Sequence, residues 1–358
     1  MAQTLLTDYP HRLGGHCGSS ALRDLMHWYQ LGWNGPPSEG LVFTLGGALD
    51  FTYVRTETLT PPIYLVGRGG DLELDLVRRL GGQVTMRATD DPDEGWRWIR
   101  DEIDAGRPVL AWADIAELPY LRVRLRMSRH DIVLIGYDDE QQVVHVVDND
   151  RADTQLVPYD ALAKARTSTG FPEPTRHTIY DVTWPTNVGD LRAAAADAFQ
   201  RSADAMTMPS CFAIAGPNTD PAATGLQAVH DFSLDIERWA EVFDEPTLDL
   251  ALRSLTAFIE KAGTGGGLFR QLLAQGCSDI AHQIDDPSLP PLTDAVGRAA
   301  TAWTALAAAA ATGDDPHTRW RAAATAAQQL PELEAALVDR LAQSARALTG
   351  PHHQSELS

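Results

Sequence analysis

The chain has 358 residues, of which 44% are apolar and 22% charged, and its formal net charge is −20 at pH 7. This length favours two domains, and so acidic a chain argues against nucleic acid as a partner because phosphates would be repelled. No apolar run approaches the length of a transmembrane helix, and three widely spaced cysteines without a Cys-x-x-Cys pair predict neither a disulfide framework nor a metal site. With no secretion signal visible, we expect a cytoplasmic protein that does not contact membranes.

Residues 14–23 place one cysteine at the mouth of a predicted helix. From Ala21 onward apolar residues recur at spacings of three and four, and Ser19 or Ser20 is expected to cap the helix. Cys17 would then lie near the positive end of the helix dipole, where a thiol is biased toward thiolate. A small buried core cysteine is the alternative interpretation of this position.

The rest of the first half alternates short helices with β-rich runs. We predict strands over residues 51–54 and 108–112, helices over 72–80 and 95–105, and a hairpin of strands 130–137 and 143–147. This order indicates an α+β domain rather than repeated βαβ units. Proline-containing breaks near residues 171–188 mark its end, so we assign the first domain to residues 1–185.

The second half is rich in alanine and predicted to be helical. Its periodicity gives helical segments over residues 190–206, 225–243, 247–261, 268–282, 293–312 and 317–348. We therefore assign residues 186–350 to an all-α domain that covers the cleft of the first. Cys211 and Cys277 lie among apolar neighbours there and are interpreted as core residues.

A nucleophilic cysteine requires a base, and residues 130–148 offer one together with an orienting acid. We centre the hairpin turn on Asp139. The strands then pair Tyr137 with Gln141, Val133 with His145, and His130 with Asp148. An imidazole and a carboxylate would meet at the open end of the hairpin, on the apolar face shared by Ile132, Leu134, Val144 and Val146. A one-residue slip would undo the pairing, leaving an unrelated strand-end histidine and loop aspartate.

Other polar residues near these elements are weaker candidates. His145 points to the other face in this register, and His16 directly precedes the cysteine, where a supporting role is the most it would have. Glu39 and Asp114 are alternatives to Asp148 as the orienting acid.

Several stretches resemble the N-terminal domain of the butirosin biosynthesis protein H type. They are residues 15–17 with 20–23, 38–39 with 43–47, Asp114 with 118–120, and 130–137 with Asp148. The second half is similar to the helical domain that commonly follows, notably at residues 263–270. The resemblance implies a papain-like cysteine-peptidase fold and a triad of Cys17, His130 and Asp148.

One position departs from the papain-like pattern. A glutamine often precedes the cysteine by about six residues and binds the oxyanion, but here His11 stands in its place. The backbone amides of Cys17 and Gly18 at the helix start are the expected substitutes, with His11 as a candidate second donor.

Residues 121–127 alternate strictly between apolar residues and arginine. An extended segment would put Arg122, Arg124 and Arg126 on one face, suited to a phosphopantetheine phosphate or an acidic carrier-protein helix. A half-exposed strand with a solvated face is the alternative.

The resemblance implies acyl transfer from an acyl carrier protein thioester to an amine acceptor in antibiotic biosynthesis. We expect no cofactor, because phosphopantetheine would arrive only as part of the donor. The same triad would also serve a peptidase, amidase, thioesterase or cyclase, and a non-catalytic binding protein is a further alternative. The sequence leaves the assembly open between a monomer and a homodimer.

Overall fold

The computed structural model describes residues 3–123, 126–208, 211–212 and 222–350. These residues divide into two compact units. The first contains the residues up to 42 together with 73–188, and the second contains 43–72 together with the residues from 189 onward. Within the described residues, no helix combines the length and apolarity needed to cross a bilayer.

The first unit combines a seven-stranded antiparallel sheet with helices. Its strands are β1 (Gln3–Leu5), β4 (Gln83–Arg87), β5 (Val109–Ala113), β6 (His130–Asp138), β7 (Val143–Val147), β8 (Gln155–Pro158) and β9 (Ile179–Thr183). The strand order is β4-β9-β5-β6-β7-β8, and β1 pairs with the turn end of β6. The helices are α1 (Cys17–Trp28), α3 (Leu72–Arg79), α4 (Pro92–Asp104) and α5 (Tyr159–Arg166), and the division between the units falls within α2 (Glu39–Leu45).

The core of this unit follows from the two-residue period of its central strands. Ile132 and Leu134 of β6 and Val144 and Val146 of β7 face a cluster that also contains side chains of α4 and α5. These are the four residues that the sequence placed on one face with His130. Helix α1 packs against β6, which brings the first turn of α1 close to the start of that strand.

The second unit is mainly helical. Its helices are α6 (Leu191–Thr207), α7 (Gly225–Asp235), α8 (Trp239–Val242), α9 (Glu245–Glu260), α10 (Arg270–Gln283), α11 (Leu289–Ala311), α12 (Pro316–Ala327) and α13 (Leu330–Thr349). The two hairpins β2 (Leu49–Arg55) with β3 (Ile63–Arg68) and β10 (Cys211–Phe212) with β11 (Ala222–Ala223) complete it. Arg270 and Glu334 form a fully buried ion pair with Nε–Oε1 at 2.8 Å, and Trp303 donates to the same carboxylate.

Two expectations about the second unit, one on residues 43–72 and one on residues 317–348, require correction. From the sequence, all of residues 1–185 were assigned to one domain. Residues 43–72 instead lie in the helical unit, because the β2–β3 hairpin packs on α6, α7 and α9. The single helix expected over 317–348 is two helices that separate before Pro331, whose ring suits the first turn of α13 and not a helix interior. Cys277 is buried as expected, whereas the side chain of Cys211 lies outside the described part of the structure.

Candidate active site

Cys17 is the first residue of α1 and is partly exposed. The cap of this helix is His16, whose extended backbone lets its Nδ1 accept from the Ser19 amide at 3.2 Å. This corrects the expectation that Ser19 or Ser20 caps the helix. The Ser20 hydroxyl instead donates back to the Cys17 carbonyl at 3.2 Å. Cys17 therefore lies where the unpaired amides of the first helical turn create a positive end.

The structure brings His130 and Asp148 into direct contact. His130 begins β6, Asp148 follows the last residue of β7, and His130 Nε2 lies 2.8 Å from Asp148 Oδ2. Because Nε2 faces the carboxylate, Nδ1 is the ring nitrogen left for the thiol, with which His130 shares a side-chain hydrogen bond. Cys17, His130 and Asp148 thus lie in one chain of contacts.

The strand register behind this contact differs from the expected one. Val133 pairs with Val147, not with His145, and Tyr137 pairs with Val144, with a bulge between Leu134 and Gly136. At the open end of the hairpin the shift is two residues, and a shift of two leaves every side chain on its original face. His130 and Asp148 consequently stay on the same face and meet diagonally rather than directly opposite each other.

Tyr120 is a fourth member of this contact chain, and the residue pattern of the sequence did not single it out. Its hydroxyl donates to Asp148 Oδ2 at 2.7 Å, the same oxygen that faces His130. The Asp150 amide approaches the other oxygen at 3.3 Å. Asp148 is buried, so these donors hold its carboxylate in one orientation. The only sequence signal for Tyr120 was its place in the stretch that resembles the family.

The electrostatics of these groups are coupled. Burial raises the pKa of the Cys17 thiol, but the electrostatic interaction with His16 and hydrogen bonds with His130 and His16 bring that pKa well below its usual value. Burial lowers the pKa of His130, but the charge of Asp148 and hydrogen bonds with Asp148 and Cys17 raise it well above its usual value. The pKa of Asp148 is lowered: burial opposes the shift, and the charge and hydrogen bond of His130 outweigh it. This combination favours a thiolate–imidazolium pair.

The surroundings of Gly18 are acidic. A Cβ at this position would lie 2.2 Å from Glu73 Oε1 and 3.0 Å from Asp131 Oδ2, so two carboxylates approach the backbone next to Cys17. Glu73 is 2% exposed, and neither of its carboxylate oxygens has a hydrogen-bond partner among the described residues. Nothing in the residue pattern points to Glu73, because an acidic residue in the first turn of α3 is typical of an exposed helix start.

Glu39 does not orient His130. Its carboxylate accepts from the amides of Gly15 at 2.9 Å and His16 at 2.8 Å and from the Ser19 hydroxyl at 3.1 Å. These contacts hold the loop that precedes the nucleophile. Glu39 is therefore a loop-positioning residue rather than the orienting acid that the sequence offered as an alternative.

Asp114 makes structural hydrogen bonds and does not orient His130. It caps the short 3-10 turn Ile115–Glu117 by accepting from the Ala116 amide at 3.0 Å, and it accepts from the Met127 amide at 3.3 Å. Its other oxygen accepts from the Ser168 hydroxyl at 2.5 Å. These contacts account for the buried carboxylate without His130.

His11 is engaged away from the thiol. Its Nδ1 lies 3.0 Å from Asp24 Oδ2 and its Nε2 lies 2.6 Å from the Arg151 carbonyl oxygen. With both ring nitrogens facing acceptors, His11 has no N–H left for an oxyanion, which corrects its candidacy as second donor. The Cys17 and Gly18 amides at the start of α1 remain the donors that the local geometry offers.

The described residues of the arginine segment do not form a strand. Residues 121–123 and 126–129 are irregular, and Arg122 has a positive φ of 55°, which breaks the expected alternation. Arg126 Nη2 lies 3.4 Å from Glu117 Oε1 and its Nη1 3.7 Å from Asp114 Oδ2, so nearby carboxylates balance its charge. Arg122 is exposed, and Arg124 lies outside the described residues. No common cationic face is formed by the described arginines.

Among the described residues, no group of three or more His, Cys, Asp or Glu side chains is arranged to hold a metal ion. The remaining histidine candidate, His145, pairs with Gly136 near the turn end of the hairpin, away from Cys17.

Comparison with known families finds two matches along the chain. Residues 16–149 match the family described as Butirosin biosynthesis protein H, N-terminal, and this range contains Cys17, His130 and Asp148. Residues 160–341 match Domain of unknown function (DUF4872). No curated protein matches the chain. The chain belongs to the butirosin biosynthesis protein H-like family, with that family's N-terminal domain followed by a DUF4872 domain.

Proposed function

We propose that this protein is a cysteine-dependent acyltransferase of antibiotic biosynthesis, with Cys17 as nucleophile, His130 as acid and base, and Asp148 as the orienting acid. The observation that carries the proposal is the contact chain from Cys17 through His130 to Asp148, with 2.8 Å between His130 Nε2 and Asp148 Oδ2. The family's name supports the link to butirosin-type biosynthesis.

The fold we propose for the first unit is papain-like. In support, the nucleophile lies at the start of a helix that packs on an antiparallel sheet, and the base begins a strand of that sheet. The orienting acid, Asp148, follows the neighbouring strand β7. Such a scaffold holds the three groups at the ends of regular elements, which supplies the rigidity that covalent catalysis requires.

The proposed first step is acyl transfer to the enzyme. The Cys17 thiolate attacks the carbonyl carbon of an acyl carrier protein thioester, forming a tetrahedral oxyanion that the amides of Cys17 and Gly18 would stabilise. As this intermediate collapses, the carbon–sulfur bond to phosphopantetheine breaks. The departing thiolate takes a proton from the His130 imidazolium, leaving an acyl thioester on Cys17.

The second step passes the acyl group to an amine. A neutral amine attacks the Cys17 thioester while His130 accepts its proton, and collapse yields an amide and the Cys17 thiolate. Since a thioester is replaced by a more stable amide, the reaction needs no nucleotide. Asp148 and Tyr120 hold the imidazole throughout.

The carboxylates beside the nucleophile support an amine acceptor rather than water. Glu73 and Asp131 approach Gly18, and carboxylates attract ammonium groups. Arg122 remains a candidate contact for the carrier or its phosphate, whereas Arg126 already has carboxylate partners.

Product analysis tests the proposal and separates it from its rivals. A carrier protein loaded with a short aminoacyl group would be incubated with the enzyme, with and without a panel of primary amines. Transfer predicts an amide whose formation depends on both the amine and Cys17. Free acid at the same rate with and without amine would indicate a hydrolase, and an intramolecular lactam would indicate a cyclase. Cys277→Ala is the matched cysteine control, because that thiol is buried in the second unit.

A further inference from the structure

The first unit contains a concave site away from the candidate active site. It is a cavity of about 190 Å³ between α4 and α5, lined by the aromatic rings of Trp96 and Tyr159 and the apolar side chains of Val144 and Leu162. Val144 lies near the turn end of the β6–β7 hairpin, whereas His130 and Asp148 lie at its open end. An engineered cavity of about 150 Å³ accommodates benzene, so this one has room for a ring and a small polar group.

Arg166 lines the cavity and carries an uncompensated buried charge. Its side chain is buried, and its guanidinium donates to the carbonyl of His177 at 2.6 Å and, at 3.5 Å, to those of Gly95 and Thr178. None of the described residues places a carboxylate within ion-pair distance, and Nε has no hydrogen-bond partner. Burial lowers the pKa of Arg166 to about 9, which still leaves it protonated at neutral pH. A buried cation is costly unless an anion accompanies it.

His177 supplies a second unused nitrogen at the same cavity. It is buried, and its Nε2 has no hydrogen-bond partner among the described residues. Burial and the nearby Arg166 charge lower the pKa of His177 to about 4, so the ring is neutral and Nε2 can carry a proton to donate. Gly95 makes room for this ring, because a Cβ there would lie 2.6 Å from His177 Cβ. A glycine inside α4 weakens the helix, which indicates that the close approach matters.

The lining is mainly apolar and the polar groups are few, which is the usual composition of a small-molecule site. Trp96 and Tyr159 contact each other with ring centroids 5.0 Å apart and form a continuous aromatic wall. Guanidinium and imidazole N–H groups suit the two oxygens of a carboxylate. A phosphate would bring more charge than one cation balances.

We propose that this cavity binds a small aromatic or branched aliphatic monocarboxylate, whose carboxylate accepts hydrogen bonds from Arg166 and His177 and whose apolar body packs on Trp96 and Tyr159. The proposal is independent of the acyltransferase chemistry, since it uses none of the residues around Cys17.

The test is calorimetric or NMR-detected titration of the full chain with benzoate and, as an isosteric neutral control, benzamide. Benzoate is expected to bind at least tenfold more tightly than benzamide. Ala163→Trp, at an exposed position on the rim, should fill the cavity and abolish binding, while Lys164→Trp, exposed one residue further along α5, should not.

Arg166→Met should remove the preference for the acid, and its folding would be checked by thermal melting. Because Ala163→Trp leaves Arg166 in place, the test does not depend on whether Arg166→Met folds. Cys17→Ala should bind benzoate as the wild type does. Absence of benzoate binding, equal affinity for acid and amide, or benzoate binding that survives Ala163→Trp in the folded protein would overturn the assignment.

Discussion

His130 and Tyr120 meet on a single oxygen of Asp148. His130 Nε2 lies 2.8 Å from Asp148 Oδ2, and the Tyr120 hydroxyl lies 2.7 Å from that atom. Asp148 is buried, so its orientation is set by these two donors and the Asp150 amide. Tyr120 therefore acts on the imidazole through the carboxylate and is a positioning residue in the proposed mechanism.

Replacing Tyr120 with phenylalanine should weaken the proposed reaction without unfolding the protein. Loss of one hydrogen bond to a charged group corresponds to about 1–3 kcal/mol, or roughly a 5- to 160-fold fall in kcat/KM. The acid limb of the pH–rate profile should also move, because Asp148 loses a donor that lowers its pKa. Tyr53→Phe is the matched control: it removes a tyrosine–aspartate hydrogen bond of 2.6 Å in the second unit. An unchanged rate and profile in Tyr120→Phe would contradict this role.

The coupled pKa shifts predict unusual thiol reactivity. The pKa of Cys17 is lowered and that of His130 is raised, so the thiolate–imidazolium pair persists between the two values. Alkylation of Cys17 by iodoacetamide should fall far less at pH 6 than that of an ordinary thiol, which reacts roughly three-hundredfold more slowly there than at its plateau. His130→Ala should restore the ordinary decline. Peptide mapping after timed labelling measures the rate, and an ordinary decline in the wild type would refute the ion pair.

Glu39 is expected to determine the stability of the nucleophile loop. Glu39→Ala leaves the Gly15 and His16 amides and the Ser19 hydroxyl without their acceptor, which should cost about 2–4 kcal/mol in free energy of unfolding. Glu39→Gln keeps an acceptor and should cost less. Urea denaturation measures both, with Glu57→Gln as a control at an exposed position. Equal stability of Glu39→Ala and the wild type would show that the loop does not depend on this carboxylate.

His11 should make stability depend on pH in a defined direction. Burial lowers the pKa of His11, but its hydrogen bonds to Asp24 and the Arg151 carbonyl and the charge of Asp24 raise it above its usual value. The contribution to folding is therefore complete below the unfolded pKa of about 6.5 and is lost as the pH rises through the folded value. The stability difference between wild type and His11→Gln should be about 1–2 kcal/mol at pH 6 and smaller at pH 9. A difference that grows toward pH 9 would contradict the assignment.

Cys17, His130 and Asp148 could be assigned to one site from the sequence, although the predicted register of the hairpin was wrong. Helical periodicity located α1, alternation located β6 and β7, and a pairing error of two residues preserved the face of His130 and Asp148. The position of residues 43–72 in the helical unit could not be predicted, because it depends on contacts between residues that are distant in sequence.

The strand predicted from the alternating arginines was wrong for a local reason. Alternation predicts a strand only where partner strands exist. The described residues between the 3-10 turn and β6 are irregular instead, with Arg126 near Asp114 and Glu117. His11 and Glu39 were expected near the chemistry, and both instead hold the segments around it. Tyr120 and Glu73 were missed because their importance lies in burial and contact, which composition and spacing do not report.

The most direct test of covalent catalysis by Cys17 is the intact mass of the protein after brief mixing with an acylated carrier protein and no acceptor amine. We predict a mass increase equal to the acyl group, mapped to Cys17, retained in Cys277→Ala and absent in Cys17→Ala. Subsequent addition of amine should discharge the adduct. No adduct in the wild type, together with undiminished turnover by Cys17→Ala, would contradict covalent catalysis by this residue.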